Sequence, residues 1–482
     1  MALNLIRNSR VFFTTNVDAS TGVVTNTGHT TSTTYEIQVL DGFSFSQNTN
    51  SEQVTVSEAG TAPVRGQRSF NTSLAPVDFS FSTYIRPDLV TNVVCEESVL
   101  WNALAGTSVK NTALVKSGTF TSATYTASTN RLTITGTTMS VTGLAAGDDV
   151  VVNGITSSTA ADQKIANGPG RVVSVAAGSI VIEMGNAPAA ADISTGLTLT
   201  NINFYKSPWS EAAGQSILGF QQSNQNQLQK FGMYIVVDTV TYKIDNCALN
   251  EVTIDFGLDG IATAQWTGQA TAISQVANSI TTATAGTFGG GTVTGSYMQK
   301  LTDANYITNK LSTVTMKTVK ALGAIAAGTP YYLALTGGSI TISNNISYIT
   351  PAILGIVNQP ITYYTGTRSI TGTLNAYLNT GAVTGFTGGG TGNLLKDMLA
   401  AASTVTEPMF AVELAIGGSA NAVRVELAMP SVSIGVPAVN TEQVVSTAIT
   451  FNAAGSAQNG VATTTNYDLA YTNDLTVRYY SN

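Results

Sequence analysis

The sequence predicts a mainly β chain made of two tandem, related β-domains, each with a flanking short helix, plus an inserted small β-domain. Three observations predict it. Charged residues are only 10% of the 482, less than half the ~25% usual in soluble domains. Thr, Ser, Gly, Ala and Asn take their place, the composition of turn-rich extended structure with a polar, weakly charged surface. Short runs alternate apolar and polar residues between turn signals. Finally, four segments of the first part of the chain return, in order, in the second.

The repeated segments set the domain plan. Tyr35–Gly42 matches Tyr348–Gly355, Asp78–Ile85 matches Thr371–Leu378, a helical segment at Cys95–Leu104 matches Asn393–Ala400, and Tyr242–Ile254 matches Ala422–Ile434. Two copies are too few for a solenoid, which needs about three stacked units; a tandem pair of whole domains fits two neighbouring seats in one ring. Tyr84 and Tyr377 lie 293 positions apart but Ile254 and Ile434 only 180, so the first copy holds about 113 extra residues between Tyr84 and Ile254. The plan is therefore residues 1–106 as the first part of copy one, 107–204 as an inserted β-domain, 205–304 as the rest of copy one, and 305–482 as copy two.

The elements follow in order. Phe43–Ser46 and Phe79–Ile85 read as half-buried strands. Leu100, Trp101 and Leu104 have helical i, i+3, i+4 spacing. Within the insert, Asn130–Gly136, Gly147–Gly154 and Gly170–Glu183 are turn-bounded strands, the last a hairpin about Ala176–Ser179. An insertion is accommodated in a loop that faces free space, so this module is expected to project outward. Glu251–Phe256 places Val252, Ile254 and Phe256 on one face and Glu251, Thr253 and Asp255 on the other. Ile280–Gly295 and Gly381–Gly392 read as flexible Gly/Thr loops. Leu395, Met398, Leu399 and Ala402 repeat the helical spacing in copy two. Asn305–Thr315 resembles both the start, Leu5–Thr14, and the end, Ala470–Tyr480; it either closes copy one or opens copy two.

Chemistry is sparse. The formal net charge is −7 with no basic patch, which disfavours tight or sequence-reading nucleic-acid binding. Cys95 and Cys247 are too few for a disulfide scaffold and read as buried free thiols. His29 reads as a solvated loop residue. Gly289–Gly295 lacks the lysine of a phosphate loop, Asp148–Asp149 lacks the spaced oxygen ligands of a calcium loop, and Glu96–Glu97 is explained by the positive end of a helix. No catalytic, cofactor or metal site is expected, and the chain is not expected to be an enzyme. The start lacks the apolar stretch of a signal peptide and no run approaches a membrane span, so the protein is expected to be made in a cytoplasm and stay soluble until assembled.

Ile6–Asn16, Tyr35–Gln47, Leu74–Pro87, Glu97–Trp101, Tyr242–Trp266 and Leu335–Tyr348 resemble the tail tube (major tail) proteins of tailed bacteriophages, of the contractile-tailed kind. The resemblance covers both copies but not Thr107 to Asn201. It implies tube domains that are β-sandwiches with a flanking helix, whose inner sheets join into a barrel around a channel for DNA and the tape measure protein. Rings of such proteins are six-fold, so three two-copy chains would fill six seats: a trimeric, pseudo-hexameric ring in a virion tail, alongside sheath, baseplate and tail terminator proteins. A wall that DNA must pass should repel phosphates rather than bind them. Glu251, Thr253 and Asp255, with Ser431 and Ser433 (and Gly435) in copy two, are the candidate channel-lining face; the alternative is an ordinary solvent face or an inter-domain contact. The long segment Phe43–Gly60, with Phe43, Phe45, Gln47, Asn48, Glu52, Val54, Val56 and Glu58, is the candidate inter-ring contact, and copy two replaces it by a short stretch around Val357–Pro360. Alternative readings are a baseplate or tail-tip ring component, a β-rich surface-layer assembly protein, or an enzymatic or carbohydrate-binding role for the inserted domain.

Overall fold

The alternating runs become strands paired almost entirely antiparallel. The computed structural model describes residues 9–40, 42–54, 68–87, 95–106, 112–186, 189, 191–212, 214–221, 228–277, 286–289, 291–300, 306–319, 321–379, 388–402, 409–417, 423–441, 444–453 and 473–481. The chain opens with β1 (Ser9–Thr14), β2 (Thr34–Ile37), β3 (Ser44–Val54), β4 (Arg68–Tyr84) and helix α1 (Ser98–Ala105). It continues with β5 (Lys116–Thr126), β6 (Arg131–Val141), β7 (Asp149–Asn153), β8 (Thr156–Ser157), α2 (Ala160–Ala166), β9 (Gly168–Ala176), β10 (Ser179–Met184), β11 (Leu197–Thr198) and β12 (Asn203–Tyr205). Next are β13 (Trp209–Ala212), β14 (Gln215–Gln221), β15 (Phe231–Val237), β16 (Val240–Gly257), β17 (Thr263–Ala270), β18 (Ala272–Val276), β19 (Thr287–Phe288) and β20 (Gly295–Ser296). The remainder supplies β21 (Thr313–Thr318), β22 (Pro330–Tyr332), β23 (Ala334–Ser343), β24 (Ile346–Ile349), β25 (Thr362–Thr365), β26 (Ser369–Tyr377), α3 (Thr391–Ala401), β27 (Met409–Ile416), β28 (Arg424–Ile434), β29 (Ala438–Asn440), β30 (Ser446–Ala453) and β31 (Asn473–Tyr480).

The pairings run in parallel through the two copies. β1 lies between β2 and β15 as β21 lies between β22 and β27. β15 pairs β16 and β27 pairs β28. The run β16–β17–β4–β3 recurs as β28–β30–β26–β23. β21 therefore holds the position in the second set of strands that β1 holds in the first. The match of Tyr35 with Tyr348 does not survive: Tyr35 lies on β2 and Tyr348 on the small β24–β25 hairpin. A hairpin also occupies copy two where a short stretch was expected: β23 and β26 are joined through β24 and β25, so both copies carry an arm.

The long strand β16 belongs to two layers. Its first part pairs β15 and β18; its second pairs β17 and β23. Asn246, at the corner, has φ +52°, a left-handed conformation that Asn tolerates better than most residues. Between the layers runs one continuous apolar core that takes side chains from both copies, including Phe81, Trp101, Leu249, Trp266, Leu374, Leu427 and Tyr479. Helix α1 is buried over its whole length to Leu104. Trp101 meets Trp266 edge-on at 5.0 Å and donates its indole N–H to the Tyr479 hydroxyl at 2.9 Å, tying copy one to the last strand of copy two. In α3 the buried residues are Thr391, Leu394, Met398 and Ala401, while Leu399 is 58% exposed. Of the stripe Leu395, Met398, Leu399 and Ala402 read from spacing, Met398 lies on the buried face, while Leu394 and Ala401 take the places expected of Leu395 and Ala402.

Residues 116–205 form a separate six-stranded sheet, ordered β12-β7-β9-β10-β6-β5, over a core of their own centred on Leu132, Ile134, Val172, Ile182 and Phe204. This module does not stand free of the body. It packs on β14 through Val151, Tyr205 and Ile217, and Gly219 of β14 leaves the space that Pro169 fills, since a Cβ there would lie 2.5 Å from it. β14 itself pairs β31, which pairs β28, so β13 and β14 extend the sheet of β27 and β28 rather than that of β15 and β16. Lys164 of α2 reaches Glu413 at 2.6 Å and Glu426 at 3.1 Å, and Arg478 donates to Asn186 at 2.8 Å. Burial pushes the Glu426 carboxyl up, but Lys164, Arg424 and Arg478 more than offset this and hold it below its ordinary value.

Removing the indole that binds the two copies should cost about 3–5 kcal/mol, as for other buried Trp→Ala changes. Urea unfolding of Trp101→Ala checks this; a loss under about 1 kcal/mol would show that the shared core does not depend on α1.

Candidate channel face and assembly edges

The second half of β16 joins the two copies. Seven residue pairs, from Glu251 with Ser343 to Gly257 with Gly337, zip β16 to β23. The result is one sheet in the order β3-β4-β17-β16-β23-β26-β30, closed at its end by the last residues of β28. Because side chains alternate across a strand, one face is apolar and packs on the core, with Val252, Ile254, Ile340, Ile342, Leu374 and Ile449 fully buried.

The other face is polar in row after row. Ser82, Gln265, Thr253, Thr341, Thr371, Asn452 and Ser433 stand side by side across seven strands. A second row runs Ser44, Ser80, Thr267, Glu251, Ser343 and Ser369, and a third Tyr84, Thr263, Asp255, Ser339, Thr373 and Thr450. Neither Lys nor Arg occurs in these rows, whose only charges are the carboxylates of Glu251 and Asp255. The hydroxyls of Thr253 and Thr341 meet at 3.1 Å directly across the seam between the copies.

Of the residues singled out from sequence, Glu251, Thr253, Asp255 and Ser433 lie on this one face. Ser431 does not. The register between β27 and β28 shifts between Phe410 and Val412, which exchanges the faces of β28 between Met429 and Val432, and Ser431 is fully buried near the Met409 sulfur. Sequence reading passed over Ser339, Thr341 and Ser343, whose alternation with Ile340 and Ile342 carried the same signal as Glu251–Phe256. The arm formed by β3 and β4 divides into two parts. Phe43 stacks on Phe81 at 5.6 Å, Phe45 packs against Tyr242 at 5.2 Å, and Gln47 donates to the carbonyls of Ala75 and Thr271, so these three anchor the arm. Asn48, Glu52 and Val54 are exposed; Val56 and Glu58 lie outside the described residues. At the sheet's two ends, β3 pairs only β4 and β29 pairs only β30 among the described residues.

No protein-family profile matches the chain. Among curated proteins the chain is similar to "Tail tube protein pb6" of Escherichia phage T5, at 25% identity over 467 residues, covering 95% of this chain and 74% of that protein.

Several other polar groups have structural roles. His29 is buried, not solvated: its ring lies edge-on to Tyr234 and Phe288, and Nδ1 is 2.8 Å from the Thr34 hydroxyl. Glu96 pairs with Arg86 at 2.6 Å, while Glu97 is buried and accepts from the Cys95 thiol at 3.0 Å. Burial raises the Glu97 carboxyl to about 7. Asp148 pairs with Lys206 at 2.8 Å and Asp149 with Arg171 at 3.6 Å. Both cysteines are buried and free. Phe288 and Val293 of the Gly-rich loop are buried in a small cluster with Phe12 and Tyr234, so the described part of that loop is anchored.

Burial lowers His29 from 6.5 to about 4. The native state therefore resists a proton that the unfolded chain accepts, and its contribution is complete above pH 6.5 and lost progressively as pH falls toward 4. Buried Glu97 acts in the opposite sense over an overlapping range, so the check is the difference between two proteins: as pH falls from 7 to 4, the melting temperature of His29→Gln should rise relative to that of the unaltered protein. Parallel melting curves for the two proteins from pH 7 to pH 4 would overturn the assignment.

Proposed function

We infer that this chain is the structural subunit of a phage tail tube, a virion protein that polymerises into the hollow conduit for DNA. The observation that carries this reading is the continuous polar face, running through both copies and bare of basic residues. DNA binds proteins chiefly through Lys and Arg that displace its counterions. A wall of hydroxyls and amides with scattered carboxylates offers the duplex no such contact and repels it weakly. The similarity to the T5 tube protein along 95% of the chain agrees. That relative's phage has a non-contractile tail, so the contractile kind expected from sequence, and with it a sheath, is not carried forward.

The seam inside the chain is the template for the seam between chains. β23 of copy two pairs with β16 of copy one; its counterpart β3 has a free edge, and so does β29, which follows β28 as the counterpart of the end of β16. We propose that β3 of one chain pairs with β29 of the next and that three chains close a ring of six seats. Counting β28 with β29, each chain gives eight strands to the wall. Three chains at a spacing of about 4.8 Å and a tilt near 40° make a barrel roughly 48 Å across between backbones, which leaves room for a duplex once side chains line it. Residues 107–204 form, on this reading, a separate inserted domain on the outside, supported by their own sheet and core. The tape measure protein would occupy the channel, and baseplate and terminator proteins would meet the tube's ends.

Negative-stain microscopy of the purified protein should show long hollow tubes with three-fold rings. Isolated rings would favour a baseplate or tip component, and flat sheets a surface layer. Glu251→Lys with Asp255→Lys should give tubes that retain double-stranded DNA at low salt and release it as salt rises; retention no greater than in unaltered tubes would show that this face is not the wall.

A further inference from the structure

The two ends of the shared sheet differ in chemistry. At one end the chain between β24 and β25 displays Ile353, Leu354, Ile356 and Ile361, all more than half exposed, Leu354 completely, with Tyr364 of β25 beside them. Soluble proteins seldom leave so concentrated an apolar group uncovered unless it is an interaction site. This prong is held in place. Asn358 makes a parallel bridge with Ser73 of the copy-one arm, accepting from the Leu74 N–H at 2.8 Å and donating to the Thr72 carbonyl at 3.2 Å. At the opposite end, past Gly257, the turn from β16 to β17 carries exposed Leu258 and Ile261 beside a cavity of about 470 Å³ whose walls include Tyr84 and Thr308. Tyr306 and Leu311, both more than half exposed, lie next to it in the chain, and Tyr306 is fixed edge-on against Tyr84 at 5.6 Å.

We propose that the prong at 353–364 seats on the rim formed by Leu258, Ile261, Tyr306 and Leu311 of a second copy of this chain, and that this contact stacks one ring on the next. The occupant is argued from position. β16 and β23 are hydrogen-bonded neighbours running in opposite directions; β16 ends at the rim, and β23 ends at the base of the prong, beyond Ser343. One chain thus presents an apolar projection at one end of the channel wall and, at the other, a recess in which Leu258, Ile261 and Tyr84 are flanked by Asp259 and Lys310. Such a head-to-tail contact cannot satisfy itself within one chain and repeats without limit when copies are stacked. The arm of copy one mixes polar Asn48, Asn50, Ser51 and Glu52 with exposed Val54 and Phe70, so the two kinds of seat differ in the chemistry of their projections. This inference rests on the tube reading and adds the stacking surface to it.

The test uses the full chain with surface substitutions that leave the core intact. Leu354→Asp with Ile356→Asp, and separately Ile261→Asp with Leu311→Asp, should each keep the thermal melt of the unaltered protein and yield rings, with tubes longer than a few rings reduced at least tenfold in electron micrographs. Mixing the two variants should give ring pairs and nothing longer, because each retains the half of the contact the other lacks. Unaltered protein that forms tubes together with a prong variant that forms them equally well would overturn this inference and leave the tube reading standing. A mixture with no ring pairs would overturn the prong-to-rim assignment. Unaltered protein that forms no tubes would overturn both.

Discussion

The hydrogen-bonded seam between β16 and β23 is the constraint on which the rest of the molecule depends. A sheet that ends in an open edge invites uncontrolled pairing. Here one edge from each copy is covered by the other copy, through seven consecutive residue pairs. That pairing fixes register, and register fixes which side chains share a face. Because the side-chain period along a strand is two, a slip by one residue would turn Ile340 and Ile342 out of the core and bring Thr341 and Ser343 in. The apolar core common to both copies and the polar rows opposite it are therefore two results of one register. The corner at Asn246 lets a single strand serve both layers, which holds the inner sheet and the outer sheet at a fixed offset.

Much of the architecture was legible in the sequence, for identifiable reasons. Glu251–Phe256 alternates without interruption and lies in a straight stretch of strand, so its faces were assigned correctly from residues alone. Trp101 and its neighbours gave a helix within a few residues of the observed one. The repeat was visible because strands with the same neighbours retain the same alternation. Failures occurred where tertiary structure changes the local period. Ser431 sits beside a register shift that no single strand displays in its own sequence. His29 lies among Gly and Thr, which read as loop, yet Tyr234 and Phe288 enclose it from segments some two hundred residues and more away in the chain. Tyr35 and Tyr348 resemble one another locally while belonging to different parts of the plan. The join between copies was expected only from resemblance, because an edge-to-edge pairing leaves no periodic signature of its own.

On the proposed ring, the module with its own six-stranded sheet changes the symmetry of the outer surface rather than that of the wall. Its anchoring combines a small apolar contact with the ion pairs of Lys164 with Glu413 and Glu426, and a hydrogen bond from Arg478 to Asn186. Lys164 and Glu413 are partly exposed and only Glu426 is buried, so these directional contacts add orientation to the apolar contact more than they add stability. The module is consequently oriented on copy two although it is encoded within copy one, and together with β14 it makes a second tie between the halves of the chain.

The contrast between the two helices bears on how quickly a ring can be built. Helix α1 is already enclosed between the copies, whereas α3 still shows Leu399 to solvent. On the proposed ring, covalent linkage of the two copies makes one of every two seams intramolecular, formed at the high effective concentration that a tether confers. For a ring of six seats, the seams that separate molecules must form fall from six to three, and no free single seat circulates with both of its edges bare.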